Sequence, residues 1–372
     1  METLVADHTL LLRAEPGDGG RSSRALSRRA TRGDLIRLAP GIYAPAERWL
    51  LLPAHERELL AMVAFSDSRR RPVVFCGATA LRLHGLPLAQ ISAPLDVISA
   101  HRGQVGIRAQ HSPYVNPQAA SRLLNRLRTE GRVRRSQRGM PMLPGVRRHG
   151  NVPGGAAAFV DVTVRLKDGS VLGRVRAVTL PVAMATVFGR EPLRVGTAPA
   201  DALKRLAVSS SADAVDVKSS YQVESSVQEA RHVLRTGAER TRFERQWDFA
   251  DGLAESPGES LSRALIHESG FVVPDLQRRL YDGEGRLLAR VDFWWEEIRL
   301  AGEFDGFVKY TAALASTKAT GAEGQHALVQ EKLREDGIRR AGNNLARWVW
   351  ADLMDSRRLS TLLEEFHVPR RR

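Results

Sequence analysis

The chain has 372 residues, with 56 lysines and arginines against 42 acids and a formal net charge of +14. That length predicts two or three domains, and that charge predicts a polyanionic partner, most simply nucleic acid. No apolar run is long enough to span a bilayer, the first residues lack the basic-then-apolar order of a secretion signal, and the single cysteine, Cys76, excludes a disulfide framework and a cysteine-built zinc site. The expectation is a cytoplasmic, soluble protein of α/β class, an α+β multidomain chain with no membrane partner.

In chain order, Ser22 or Ser23 caps a first helix whose narrow apolar stripe is Leu26 and Ala30, and Gly33 ends it. The remaining faces of that helix carry Arg24, Arg28, Arg29 and Arg32. Two short strands follow around the turn dipeptide Pro40-Gly41, the first of them bearing Arg37. A basic helix feeding a small hairpin is the outline of a winged helix-turn-helix, with the helix for the groove and the hairpin as wing. The competing reading is an ordinary helix with a solvated arginine face. An amphipathic helix with Leu59, Leu60 and Val63 is expected over 53–65, and a short buried strand over 73–75. A helix over 77–87 stops at Gly85 and Pro87, with His84 capping carbonyls at its end, and a further strand covers 95–98.

The stretch 33–43, reading Gly33, Asp34, Leu35, Ile36, Arg37, Leu38, Ala39, Pro40, Gly41, Ile42 and Tyr43, together with 74–87, resembles the N-terminal part of AbiEi-type antitoxin and transcriptional-regulator proteins. The resemblance covers roughly residues 20–100. It implies a DNA-binding winged helix that acts on its own operon, and a cognate toxin as a second partner.

Residues 112–155 are dominated by arginines, among them Arg132, Arg134 and Arg135, with Glu130 as the only acid. Apart from a helical turn or two near 121–128 this segment reads as a loop. It is either a phosphate-contacting arm or a solvated, disordered insertion. Alternation over 160–175 around Asp168-Gly169 predicts a hairpin, and a mostly helical connecting stretch follows, near 180–188, 199–207 and 224–250. The expected organisation is a winged-helix region over 1–50, an antitoxin-like α/β region over 51–110, an arginine-rich insertion over 111–158, a connecting region over 159–250, and a last domain over 251–372.

The last domain opens with Ser256 as N-cap, Pro257 at N1 and Glu259 at N3, a capping box that by itself gives Glu259 a local role. Strands follow over 274–281 and 287–295. A tight two-residue turn at Glu296-Glu297 would pair Trp295 with Ile298, Phe293 with Leu300 and Val291 with Gly302. The polar face of that hairpin would then collect Arg290, Asp292, Arg299, Glu303 and Asp305, with Asp292 diagonal to Glu303 and the two arginines as competing ion-pair partners. A helix over 326–340 and a strand over 345–350 complete the order of helix, three strands, helix, strand.

This order, with the segments 256–259, 290–293, 302–306 and 331–336, resembles the restriction-endonuclease-like PD-(D/E)XK superfamily, closest to the very-short-patch-repair type. The resemblance covers about residues 250–355. It implies a mixed sheet flanked by helices in which Glu259, Asp292 and Glu303 bind magnesium, with manganese as a substitute, and Asp305 is a further candidate. The lysine that the family pattern expects two residues after Glu303 is here Asp305, so Lys309 is carried over as the catalytic lysine. Arg334 and Arg339 would hold phosphate from the helix. Two readings stay open: a DNA-binding protein with a metal-dependent endonuclease tail, and a non-enzymatic regulator or antitoxin with an inactive nuclease-like fold.

Overall fold

The computed structural model describes residues 10–17, 19–89, 93–99, 105–134, 137–150, 158–212, 217–306 and 322–371. Within them the chain is mixed α/β, with thirteen helices and three sheets, and no helix is long and apolar enough to cross a membrane. Two compact units emerge, residues 1–85 with 90–186, and residues 86–89 with 187–372.

In the first unit the hydroxyl of Ser22 accepts the Ala25 amide at 3.3 Å and starts α1 (Ser23–Arg32). Gly33, at φ 93°, ends it by donating its N–H to the carbonyls of Arg29 and Ala30. Two constraints demand glycine there: the left-handed φ, and a Cβ that would lie 2.2 Å from that of Ala119. Leu26 and Ala30 bury the inner face of α1 against Leu12, Leu35 and Tyr43. The strands β1 (Leu12–Arg13), β2 (Leu35–Ala39) and β3 (Ile42–Pro45) form an antiparallel sheet in the order β1-β3-β2, turning at Pro40-Gly41 as expected. Two helices follow, α2 (Ala46–Leu51) and α3 (Ala54–Asp67).

A six-stranded sheet completes this unit: β4 (Val74–Phe75), β5 (Leu95–Ile98), β6 (Gly106–Arg108), β7 (Val146–His149), β8 (Phe159–Arg165) and β9 (Val171–Val178), in the order β6-β7-β5-β4-β9-β8. The hairpin of β8 and β9 turns at Asp168-Gly169 as predicted. Between β4 and β5 lies α4 (Gly77–Leu83). His84 faces the Val178 carbonyl at 2.8 Å and so ties this helix to β9 rather than capping its own carbonyls.

The segment expected to be an insertion is instead built into the sheet. It contains α5 (Pro117–Thr129), which the Asn116 side chain caps, and β7, which lies between β6 and β5. The reason is Asp96, only 1% exposed, which accepts from Arg147 at 2.5 Å and faces His149 at 2.8 Å. Burial pushes the Asp96 carboxyl up, but His149 and Arg147 outweigh it and hold the group below the usual carboxylate range. Arg147 and His149 of β7 are thus partners of an interior acid, and the strand has no apolar alternation to betray it.

From α6 (Leu180–Arg190) the chain enters the second unit, with α7 (Leu193–Ala212), α8 (Val217–Val233), α9 (Gly237–Phe249) and α10 (Pro257–Glu268). Arg263 of α10 donates to the buried Asp201 of α7 at 2.6 Å. The last sheet holds β10 (Asp275–Tyr281), β11 (Leu287–Trp295), β12 (Leu300–Asp305) and β13 (Asn344–Val349) in that order. The first two pairings are antiparallel, and β12 with β13 is parallel, crossed over by α11 (Ala322–Arg340). One side of this sheet packs Phe293, Leu300, Phe304 and Trp348 against Leu261 and Leu265 of α10. The other packs Trp294, Ala301 and Leu345 against Ile338 of α11. Two short helices close the chain, α12 (Trp350–Met354) and α13 (Ser356–Glu365).

The turn between β11 and β12 is wider than expected. Trp295 pairs with Leu300 and Phe293 with Gly302, leaving four residues, 296–299, in the loop. Arg299 takes a left-handed φ of 48° to make it. The slip is two residues, so the strands keep their predicted faces. Continued by one position, the observed register sets Asp292 directly opposite Glu303 instead of diagonal to it.

Candidate functional site

The sheet of the second unit gathers three of the acids singled out by the sequence. Gly258 lets the start of α10 settle onto β12, since a Cβ there would lie 1.9 Å from the Phe304 ring. Ser256 accepts the Glu259 amide at 3.2 Å, the expected half of the capping box. The other half differs: the Glu259 carboxylate accepts from the Glu255 amide at 2.9 Å rather than from Ser256. The same oxygen accepts from the Gln277 side-chain amide at 3.1 Å. That amide also reaches an Asp292 oxygen at 3.5 Å, while the second Asp292 oxygen accepts the Phe304 amide at 3.0 Å. Gln277 therefore bridges Glu259 and Asp292. It does so from a left-handed φ of 54°, between the pairs Leu276–Phe293 and Arg278–Val291, a conformation that costs a non-glycine residue free energy and is common where function constrains the backbone.

Glu303 has different company. It is 9% exposed, and Arg334 of α11 grips it with two hydrogen bonds, at 2.6 and 2.9 Å. Arg347, its register partner on β13, donates a third at 3.1 Å. Arg334 also holds Glu331 at 2.7 Å, and Arg347 pairs with Glu331 and, at 3.6 Å, with Glu335. Hydrogen bonding to Glu303 and then Glu331 pushes the Arg334 guanidinium further up, and Arg334 in turn holds Glu331 below the usual glutamate range. Glu303, Glu331 and Glu335 are thus linked through Arg334 and Arg347 into one network.

These contacts correct the expected site. The competitors named for the acids, Arg290 and Arg299, are engaged elsewhere: Arg290 with Glu255 at 2.6 Å, and Arg299 with the Ala341 carbonyl at 2.8 Å. The competitors that the structure supplies are Arg334 and Arg347. Arg334, expected to hold phosphate, holds Glu303 instead, and Arg339 pairs with Glu335 at 2.7 Å. Asp305 ends β12, half-buried, in register with Val349. Lys309 lies outside the described residues, as does Arg135.

The residues present do not fit magnesium in this arrangement. That ion wants near-octahedral oxygen ligands, commonly one or two carboxylates with water. Here a Gln277 amide nitrogen stands between Glu259 and Asp292, and both Glu303 oxygens face guanidiniums. Among the described residues, no group of three or more His, Cys, Asp or Glu is placed to hold a metal ion. Sequence reasoning missed Gln277 and Arg347. The only available signal was Arg347 itself, a lone charge in the otherwise apolar run from Leu345 to Trp350.

The expected DNA-contacting arginines of the first unit separate into two groups. Arg24, Arg28 and Arg32 project from α1 exposed and Arg29 half-exposed, and among the described residues none of the four makes an ion pair. No acid lies on that helix at all. Arg37 is exposed on β2 with its guanidinium 5.5 Å from the centre of the Tyr114 ring. By contrast Arg132 pairs with Glu47 at 2.6 Å, as does Arg126. Arg134 lies just beyond, in the loop after α5.

Comparison with known proteins adds little. No protein-family model matches the chain, and no solved structure matches it. Two uncharacterized proteins of Mycobacterium tuberculosis, one from strain CDC 1551 and one from strain H37Rv, are each 44% identical to it over 57 residues. The match covers 15% of this chain and 21% of each relative, so the chain spans about a fifth of the length of the curated relatives it matches.

Proposed function

We propose that this is a cytoplasmic DNA-binding protein of the AbiEi-like regulator or antitoxin kind, whose second unit is a restriction-endonuclease-like fold with Glu303 closed by an arginine clamp. The observation that carries the reading is the pair of opposite electrostatic outcomes. Among the described residues the arginines of α1 have no carboxylate partner, as a phosphate-contacting helix needs. Glu303 of the last sheet is paired within the chain by Arg334 and Arg347. In this reading α1 lies in the groove, the hairpin of β2 and β3 is the wing, and a cognate toxin is the second partner.

The test is duplex DNA binding measured by fluorescence anisotropy across a salt series. Each phosphate contact adds about 0.9 to the slope of log affinity against log salt. The triple variant Arg24→Ala, Arg28→Ala, Arg32→Ala should bind duplex DNA more weakly and lower the slope by about 2 to 3. An unchanged slope removes α1 from the interface.

A second reading, a metal-dependent endonuclease, is favoured by the convergence of Glu259, Asp292 and Glu303 on neighbouring elements in the expected order. It requires Glu303 to leave Arg334 and Arg347. Supercoiled plasmid incubated with the full chain and magnesium, manganese or chelator separates the two. Metal-dependent nicking that Asp292→Ala abolishes favours the enzyme, and duplex binding without nicking in either metal favours the regulator.

A further inference from the structure

The first unit contains a cleft of about 380 Å³ bounded by β2, the end of α3, β6 and the segments 109–114 and 143–146. Its floor is apolar, with Leu38, Leu95 and Val146 buried. Its rim is cationic: Arg37, Arg69 and Arg108, with His111 beside them. Among the described residues no carboxylate lines it, and none of the three arginines makes an ion pair. Distant pairing within the same stretch of chain does not relieve this, because between Asp96 and Asp161 the sequence contains a single acid, Glu130, which faces Arg126 and Arg132.

Like charge has collected here without a counterion among the described residues. Burial, and then Arg148 and Arg108, push the Arg69 guanidinium down, and burial followed by Arg108 does the same to His111. Elsewhere in the unit the chain supplies carboxylates to its buried or crowded arginines, as Asp96 does for Arg147 and Glu58 for Arg82. The cleft also presents aromatic surface. The Arg69 guanidinium stacks 4.4 Å from the Phe65 ring centre, and Tyr114, 57% exposed, stands at the rim beside Arg37. An apolar floor, an uncompensated cationic rim and an exposed ring together match a ligand with a phosphate and a planar base.

We propose that this cleft is a nucleotide site in which Arg69 and Arg108 take a phosphate and Tyr114 stacks the base. The nucleotide is either free or one unit of a single nucleic-acid strand; a paired base inside a duplex has no open face to offer Tyr114. This site is separate from the duplex-binding face assigned to α1 and does not rest on it.

The experiment uses the full chain and a fluorescein-labelled octathymidylate, with adenosine monophosphate and inorganic phosphate as competitors. All three variant side chains are exposed, and thermal melts confirm that each variant is folded. Arg69→Ala with Arg108→Ala should weaken octathymidylate binding by about tenfold or more at low salt, and Tyr114→Ala by about fivefold or more. The α1 triple variant should bind the single strand within about twofold of wild type while losing duplex affinity. Displacement by adenosine monophosphate identifies a free nucleotide as sufficient, and its failure to displace assigns the site to the strand. Wild-type affinity in both cleft variants, equal single-strand losses in the cleft and α1 variants, or no binding of either probe by the wild-type chain would overturn the proposal.

Discussion

Two sets of arginines behave in opposite ways in this chain. On α1, Arg24, Arg28, Arg29 and Arg32 make no ion pair among the described residues. In the second unit Arg334 and Arg347 close on Glu303, itself 9% exposed. A formal charge of +14 measures how much cation the chain carries, but only the local supply of carboxylates decides which part of it is available to a polyanion. Arg126 and Arg132, both in the segment expected to reach for phosphate, fall on the paired side because Glu47 lies within 2.6 Å of each.

The largest expected effect of breaking this contrast comes from its paired side. Glu303→Ala leaves two guanidiniums facing each other with one acceptor removed, and should destabilise the second unit by about 3 kcal/mol in urea unfolding. A loss below about 1 kcal/mol would mean that the network is only a surface arrangement. Gly258→Ala comes next. Its methyl group meets the Phe304 ring, so α10 must shift and carry Glu259 with it, at a cost of about 2 kcal/mol by the same assay.

A smaller effect is expected from acid. Glu331 is held below the usual glutamate range, chiefly by its hydrogen bond from Arg334. A depressed carboxyl contributes stability that is complete above its unfolded value of about 4.3 and fades as the pH falls below it. Arg334→Ala should therefore flatten the loss of stability between about pH 4.3 and lower values; an equally steep loss in the variant would show that Glu331 does not depend on Arg334. The smallest effect belongs to the unpaired side. The α1 triple variant should change unfolding free energy by no more than about 0.5 kcal/mol, since no ion-pair partner among the described residues is lost. A larger loss would reveal pairing that moves α1 to the other side of the comparison.

Much of the fold was legible because local signals and tertiary structure agree. Ser22 and Gly33 bound α1, Pro40-Gly41 and Asp168-Gly169 turn their hairpins, and Ser256 with Pro257 starts α10. Elements whose charges face inward were not legible. Strand β7 hides its role because Arg147 and His149 answer Asp96, some fifty positions earlier in the chain, rather than solvent. The width of the β11–β12 turn depends on Arg299 accepting a left-handed φ, which a residue of this type rarely advertises. Within the candidate site, the hairpin placed Asp292 and Glu303 on one face correctly. Their fates were set by Gln277 and by Arg334 and Arg347, which lie on other elements and have no local pattern tying them to the acids.

The most direct test of the account titrates magnesium, and then manganese, into the full chain by calorimetry. If Arg334 and Arg347 occupy Glu303 and Gln277 separates Glu259 from Asp292, neither metal should give saturable heat. A single-site isotherm that disappears in Asp292→Ala would contradict the closed clamp and restore the acids to a metal centre.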